Sequence, residues 1–263
     1  PFYFALIVFI ALGYRNKHYP TNHPYRPYFI PALVFKLIGA ISITLIYVYY
    51  YEGGDTLSYF FHGKVMNSAL DESFSKWLNL ILSIPSKNDG DYYEYTRQMY
   101  FYGKTATHLV SAVSGVFSIL CLNTLLPTTL IFAVISFTGV WALFRTFAKL
   151  YPKLLIPIST ATLFIPSVTL WGSGIFKDTL ILFSLGWMTY SFIQIMNYRN
   201  FSPRILILAG LSVYLTFQVK VYVIISFLPP IVLWATLQRT KNISNQQLRI
   251  FTSVLSLALM VSL

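Results

Sequence analysis

The residues best equipped for chemistry fall in two stretches that are far apart in the chain. The first is EGGDTLSYFFHGK, from Glu52 to Lys64. Gly53 and Gly54 suit the end of one helix, and Asp55 suits the start of the next, with Thr56 and Ser58 in its first turn. On that helix Tyr59 and His62 follow Asp55 by four and seven positions, so a carboxylate, a phenol and an imidazole share one face. Such a trio can deprotonate and orient a hydroxyl acceptor. The plainer alternative is that Asp55 only caps the helix and His62 only packs. The second stretch is PSVTLWGSGIFKDTL, from Pro166 to Leu180. Pro166, Gly172 and Gly174 interrupt an apolar run beside Trp171, and Lys177 and Asp178 open the next helix. A free helix start attracts anions because its N–H groups point outward, so Lys177 there can hold a phosphate. Lys220, in FQVKVYV, is a second phosphate contact by the same reasoning. For both lysines the alternative is a charge that snorkels toward water. Between the two stretches, NDGDYYEYTRQMYFYGK sets tyrosines around Asp91, Glu94 and Arg97. Rings can stack on sugar faces while carboxylates accept hydroxyl hydrogen bonds, although a tyrosine belt at a membrane surface has the same composition.

These residues need a scaffold, and composition specifies its solvent. Of 263 residues 56% are hydrophobic and 10% charged, against about 25% charged in an average soluble domain. So few charges cannot cover a water-facing globule of this size, so lipid is the expected solvent. At about 20 apolar residues per crossing the length allows up to about eight or nine spans. The one cysteine, Cys121, cannot form an internal disulfide.

Charge is also asymmetric along the chain. Seven of the eight acidic residues (Glu52, Asp55, Asp71, Glu72, Asp89, Asp91, Glu94) fall between Tyr51 and Lys104, and Asp178 is the other. Bases gather in short stretches: Arg15, Lys17 and Arg26; Arg145, Lys149 and Lys153; Arg199 and Arg204; Arg239, Lys241 and Arg249. Short basic loops stay on the cytoplasmic side, which assigns the acidic loop, 52–104, to the periplasmic side. The expected fold is therefore all-α, a polytopic integral membrane helical bundle with a long outer loop.

Residues 1–12 read as the end of a first span and 29–51 as a second, interrupted only by Lys36. Further apolar segments lie at 105–122, 128–147, 154–171, 175–196, 205–217, 221–238 and from 250 onward. Both ends read as parts of spans, so 1–263 is expected to be one transmembrane domain cut at each end. Two segments separate each successive basic stretch, which returns the chain to one side every time. The exception is Lys104 to Arg145, where two segments stand in place of an odd number. The run 105–122, short and rich in Ser, Thr and Gly, is therefore expected to be a half-span or re-entrant hairpin. Within the outer loop, MNSALDESFSKWLNLILSIP carries an apolar face of Trp77, Leu78, Leu80, Ile81 and Leu82, as expected of a helix lying in the headgroup layer.

No phosphate-binding glycine loop, dinucleotide fingerprint, HExxH or metal-spaced Cys/His cluster is present. No residue is assigned to a metal, no cofactor is assigned, and a divalent metal is left open. The scattered positive charge is not a nucleic-acid footprint. Asn200-Phe-Ser and Asn242-Ile-Ser match the glycosylation sequon but fall in stretches expected to be cytoplasmic.

The pattern resembles polytopic membrane glycosyltransferases of the GT-C type, and in particular envelope-polysaccharide membrane proteins of the Bacteroidetes kind. The features that carry the resemblance are a span, an outer loop opening on Gly53-Gly54-Asp55 with Tyr59 downstream, interfacial helices, and the PSxxxWGSGxxKD break from Pro166 to Asp178. The resemblance implies a bacterial inner-membrane enzyme that transfers sugar from a polyprenyl-phosphate donor to an envelope glycan or lipid-linked acceptor. It implies Asp55 as base, with Lys177, Asp178 and Lys220 near the donor phosphate; the residues themselves, apart from the resemblance, offer Tyr59, His62, Lys64, Asp91, Glu94, Arg97 and Trp171 as substrate contacts. The chain departs from the pattern in having a single Asp where that type often has an Asp-Glu pair. Two other readings stand beside it: a non-catalytic membrane subunit of an envelope secretion or motility complex, and a transporter, which would be expected to show two related halves.

Overall fold

The computed structural model describes residues 1–240, which form helices and no strand. Lys241, Arg249, the Asn242 sequon and the apolar run from 250 lie outside the described residues. Four helices are long and apolar enough to cross a membrane: Arg26–Tyr50, Leu125–Leu150, Lys177–Tyr198 and Pro203–Gln238.

The bundle has two chemically distinct ends, and the path of the chain between them is fixed by side-chain contacts. α1 (Phe2–His18) finishes with Arg15, Lys17 and His18 in its last turn, and α2 (Arg26–Leu45) starts beside it. This first helix is longer than the twelve residues read as a span remnant. α2 ends in a widened π turn, Ile46–Tyr50, at the opposite, acidic end. There α3 (Asp55–Ser68), α4 (Phe74–Ile81), the short α5 (Tyr93–Thr96) and α6 (Thr105–Leu120) build a layer. α7 (Leu125–Leu150) returns to the basic end, and α8 (Leu155–Leu163) and α9 (Pro166–Trp171) together come back. α10 (Lys177–Tyr198) then runs parallel to α7, since Thr138 meets Trp187, Arg145 meets Tyr190 and Lys149 meets Tyr198.

Small residues permit the closest packing in this frame. A Cβ built on Gly186 would stand 1.8 Å from the Gly139 carbonyl oxygen, so α7 and α10 touch backbone to backbone. Such approach is how helices gain dispersion contacts where lipid removes the hydrophobic drive between them. Around it Phe29, Phe137, Trp141 and Phe144 form an aromatic core, in which Trp141 donates its indole N–H to the Tyr19 hydroxyl at 2.7 Å.

α11 (Pro203–Thr240) is nominally one helix, but Lys220 has φ −151° and ψ 83°, outside helical geometry. A straight continuation would carry Trp234 about 20 Å past Lys220. Instead Trp234 meets Phe192 of α10 at 6.5 Å, while Lys220 pairs with Asp178 at the start of α10. The two limbs of α11 therefore fold back on each other, which matches the reading of 205–217 and 221–238 as separate segments.

α6 (Thr105–Leu120) is one unbroken helix. It packs parallel to α3, with Tyr59 against Val110 and Gly63 against Ser111 and Gly115. Its start faces Tyr214 and Gln218 of α11 across a groove, and its end is tied to Tyr3 of α1 and to Asn123, beside the start of α7. Both ends of α6 thus lie at the acidic end, so the run 105–122 is a helix laid across that end and not a hairpin. The basic stretches are also less loop-like than expected, since Arg145 and Lys149 sit inside the last turns of α7. Pro166 breaks the 154–171 run within its length, between α8 and α9, and Gly172–Phe176 forms the turn that follows.

Candidate functional site

The site begins at the exit from α2. Glu52 takes the left-handed turn with φ 49°, and Gly54 follows at φ 98°. A Cβ on Gly54 would stand 2.8 Å from the Tyr47 ring, so glycine is required there by both backbone and space. Gly54 is the N-cap of α3, and Asp55 is its first helical residue and makes no side-chain cap bond. The capping alternative for Asp55 is therefore not what the fold adopts. Its exposed carboxylate stands in the first turn, favoured by the helix dipole, and accepts a long 3.4 Å hydrogen bond from the Tyr59 hydroxyl.

Tyr59 connects the two sequence stretches. Its ring is buried with Ile175 and Leu180, the residues flanking Lys177 and Asp178. Burial, and then the charge of Asp55, hold its phenol far above the ordinary range, and Asp178 adds to the effect. Tyr59 thus stays protonated and donates to Asp55. Asp178 is ion-paired with Lys220. Phe176, which precedes Lys177, packs on Tyr47 at 5.3 Å and on half-exposed Trp171 at 6.1 Å. Asp55, Tyr59, Asp178 and Lys220 therefore gather at one place, with Lys177 at the start of α10 and in neither of the two ion pairs among the described residues.

His62 is placed differently. It is buried, and its Nε2 accepts the Tyr100 backbone N–H at 3.2 Å while Phe101 packs edge-on at 5.4 Å. Burial, and then His108, push its pKa down to about 4. It is a neutral acceptor holding the 99–104 segment, and the Phe101 ring on which it packs also meets Tyr59 at 5.9 Å. Lys64, Asp91, Glu94 and Arg97 are exposed and spread over the outer layer. α4 forms where the amphipathic stretch was expected, capped by Ser73, and Leu80 is its buried anchor. Glu72 receives the Tyr95 hydroxyl and pairs with Lys76, and Asn67 ties α3 to Gly115, Ser118, Asn123 and Trp77.

A groove of about 590 Å³ lies between the 81–87 segment, the start of α6 and the first limb of α11, and none of Asp55, Tyr59, Asp178 and Lys220 lines it. Ser83, Ser86, Tyr102, His108 and Gln218 give it polar walls, and Gln218 stands two residues before Lys220. Lys36, mid-helix in α2 and buried, was visible only as an interruption in an apolar run. Its ammonium reaches the Val168 carbonyl at 3.4 Å, at the end of α9, where the helix dipole favours a cation. The sequence gives no sign that these two residues meet. Among the described residues no three His, Cys, Asp or Glu side chains gather to hold a metal. Comparison of the chain with protein-family models, curated proteins and solved structures finds no match.

Proposed function

We propose that this chain is a bacterial inner-membrane glycosyltransferase that moves a sugar from a polyprenyl-phosphate donor to an envelope glycan or lipid-linked acceptor. The observation that carries the reading is the gathering of Asp55, Tyr59, Asp178 and Lys220 at the one end of the bundle that holds nearly all the acids. In this reading Asp55 takes the proton of the acceptor hydroxyl as its oxygen attacks the anomeric carbon. The bond from that carbon to the phosphate oxygen breaks, and the negative charge leaves on the lipid phosphate. Tyr59 orients Asp55, and Lys177 and Lys220 offset the phosphate charge. The polar groove beside Gln218 receives the acceptor sugar, with the acidic layer on the periplasmic side.

One observation favours the second reading, a non-catalytic subunit of an envelope complex: Lys220 already has Asp178 as a counter-ion, so it needs no phosphate. Incubating purified protein in vesicles with polyprenyl-phosphate sugars and reading glycan products by mass spectrometry separates the two. Turnover that Asp55→Asn removes supports transfer. Absence of turnover with every lipid-linked sugar tried, together with co-purification of a stoichiometric envelope protein, supports the subunit.

A further inference from the structure

We propose that the basic end of the bundle holds a phosphate-bearing anionic membrane lipid, with Arg145 at its phosphate and one acyl chain in the groove between α1, α2, α7 and α10. The inference needs the chain to lie in a bilayer and does not depend on sugar transfer.

Two adjoining hollows meet at Arg145. One is an apolar groove of about 360 Å³ whose walls include Ile7, Ala11, Leu33, Val134 and Trp141. The other is a polar cleft of about 230 Å³ walled by Tyr19, Tyr190, Tyr198 and Lys149. Arg145 lines both. An apolar groove that adjoins a polar pocket with a cation at the junction has the layout of a lipid site.

The cations at this junction lack anionic partners. Arg145 lies over the Tyr190 ring at 5.4 Å, and Lys149 over the Tyr198 ring at 3.8 Å. Both ion pairs among the described residues involve other groups, Glu72 with Lys76 and Asp178 with Lys220. The Arg145 Nε is buried and has no hydrogen-bond partner, which carries a desolvation cost unless a ligand supplies an acceptor. A guanidinium suits phosphate because its fork can donate two parallel hydrogen bonds. The Tyr19 hydroxyl accepts from Trp141, which leaves its own proton to donate into the cleft. Every acid of the sequence lies within 52–104 or at Asp178, toward the other end of the bundle, so the charge complement must come from outside the chain.

Protein in nanodiscs of defined lipid, read by native mass spectrometry and thermal shift, tests this. Phosphatidylglycerol is expected to be retained about tenfold over phosphatidylcholine, Arg145→Gln to erase most of that preference, and Lys149→Gln to reduce it less. A preference unchanged in a folded Arg145→Gln protein overturns the site. Should that variant fail to fold, bromine-labelled phosphatidylglycerol provides a second readout: it is expected to quench fluorescence that Trp141→Phe and Trp187→Phe together remove, since both line the groove, and quenching unaffected by that pair overturns the groove. Displacement of the lipid by millimolar inorganic phosphate would also overturn the proposal, since it would mean a free-anion site without a chain.

Discussion

The two ends of the bundle handle charge in opposite ways. At the acidic end each ionisable group of the central cluster except Lys177 has a protein partner: Asp55 meets Tyr59, and Lys220 meets Asp178. At the basic end Arg145 lies over the Tyr190 ring with the Tyr19 hydroxyl beside it, and Lys149 lies over the Tyr198 ring, with no carboxylate at either. A cation on an aromatic face is attracted by the ring quadrupole but keeps most of its hydrogen-bonding capacity, whereas one on a carboxylate has spent it. The central cluster of one end is thus partnered within the chain while Arg145 and Lys149 at the other have no carboxylate, although α7 and α10 connect the two ends through a backbone-to-backbone contact.

The largest expected effect removes that connection. Gly186→Val places a side chain where 1.8 Å separates even a Cβ from the Gly139 carbonyl, and neither backbone can yield. We expect a loss of about 3 kcal/mol or more, with both ends failing together in a thermal melt, and an unchanged melt would show the helices to be less tightly joined. Next, Asp55→Asn should lower glycan transfer about 100-fold while membrane insertion and phosphatidylglycerol retention stay as they were. Near-normal transfer would remove Asp55 as base. A smaller change should make the acidic end resemble the basic one: Asp178→Asn frees Lys220, and lipid-phosphate binding there should rise a few-fold for about 1 kcal/mol or less of stability. No gain would mean that the pair is not what keeps Lys220 from anions. Acidification acts on the outer layer alone. His62 is held neutral down to about 4 against an ordinary 6.5, so the unfolded chain takes up a proton in that window that the folded layer refuses. Stability of the outer layer, full above 6.5, should decline as pH falls toward 4, as read by hydrogen exchange in α3 and α6, and His62→Phe should flatten the decline.

How much of this was legible in the sequence depended on how rare each signal was. Asp178 stood out as the one acid beyond the loop, and Asp178 and Lys220 proved to be partners. The runs behind α2, α7 and α10 were readable because hardly any charge interrupts them. α6 was harder, because Thr107, His108, Ser111, Ser114 and Ser118 put polar groups among its buried residues, beside Val110, Ala112 and Gly115, and so many polar groups look like a weak span. His62 could not be placed by helix periodicity, since its partner is a backbone N–H thirty-eight residues away. Arg145 was read as a topological charge in a loop. The signal that it belongs to a packed helix was its position four residues after Trp141 in an unbroken apolar run.

The single non-helical residue of α11 bears on biogenesis. With no loop between its limbs, residues 203 to 238 would enter the bilayer as a preformed helical pair in which almost no peptide group needs separate delivery across it. In the proposed orientation the charge at the tip is Lys220, and Asp178 makes the same journey. Travelling together as a neutral couple, the two would meet a lower translocation barrier than either alone.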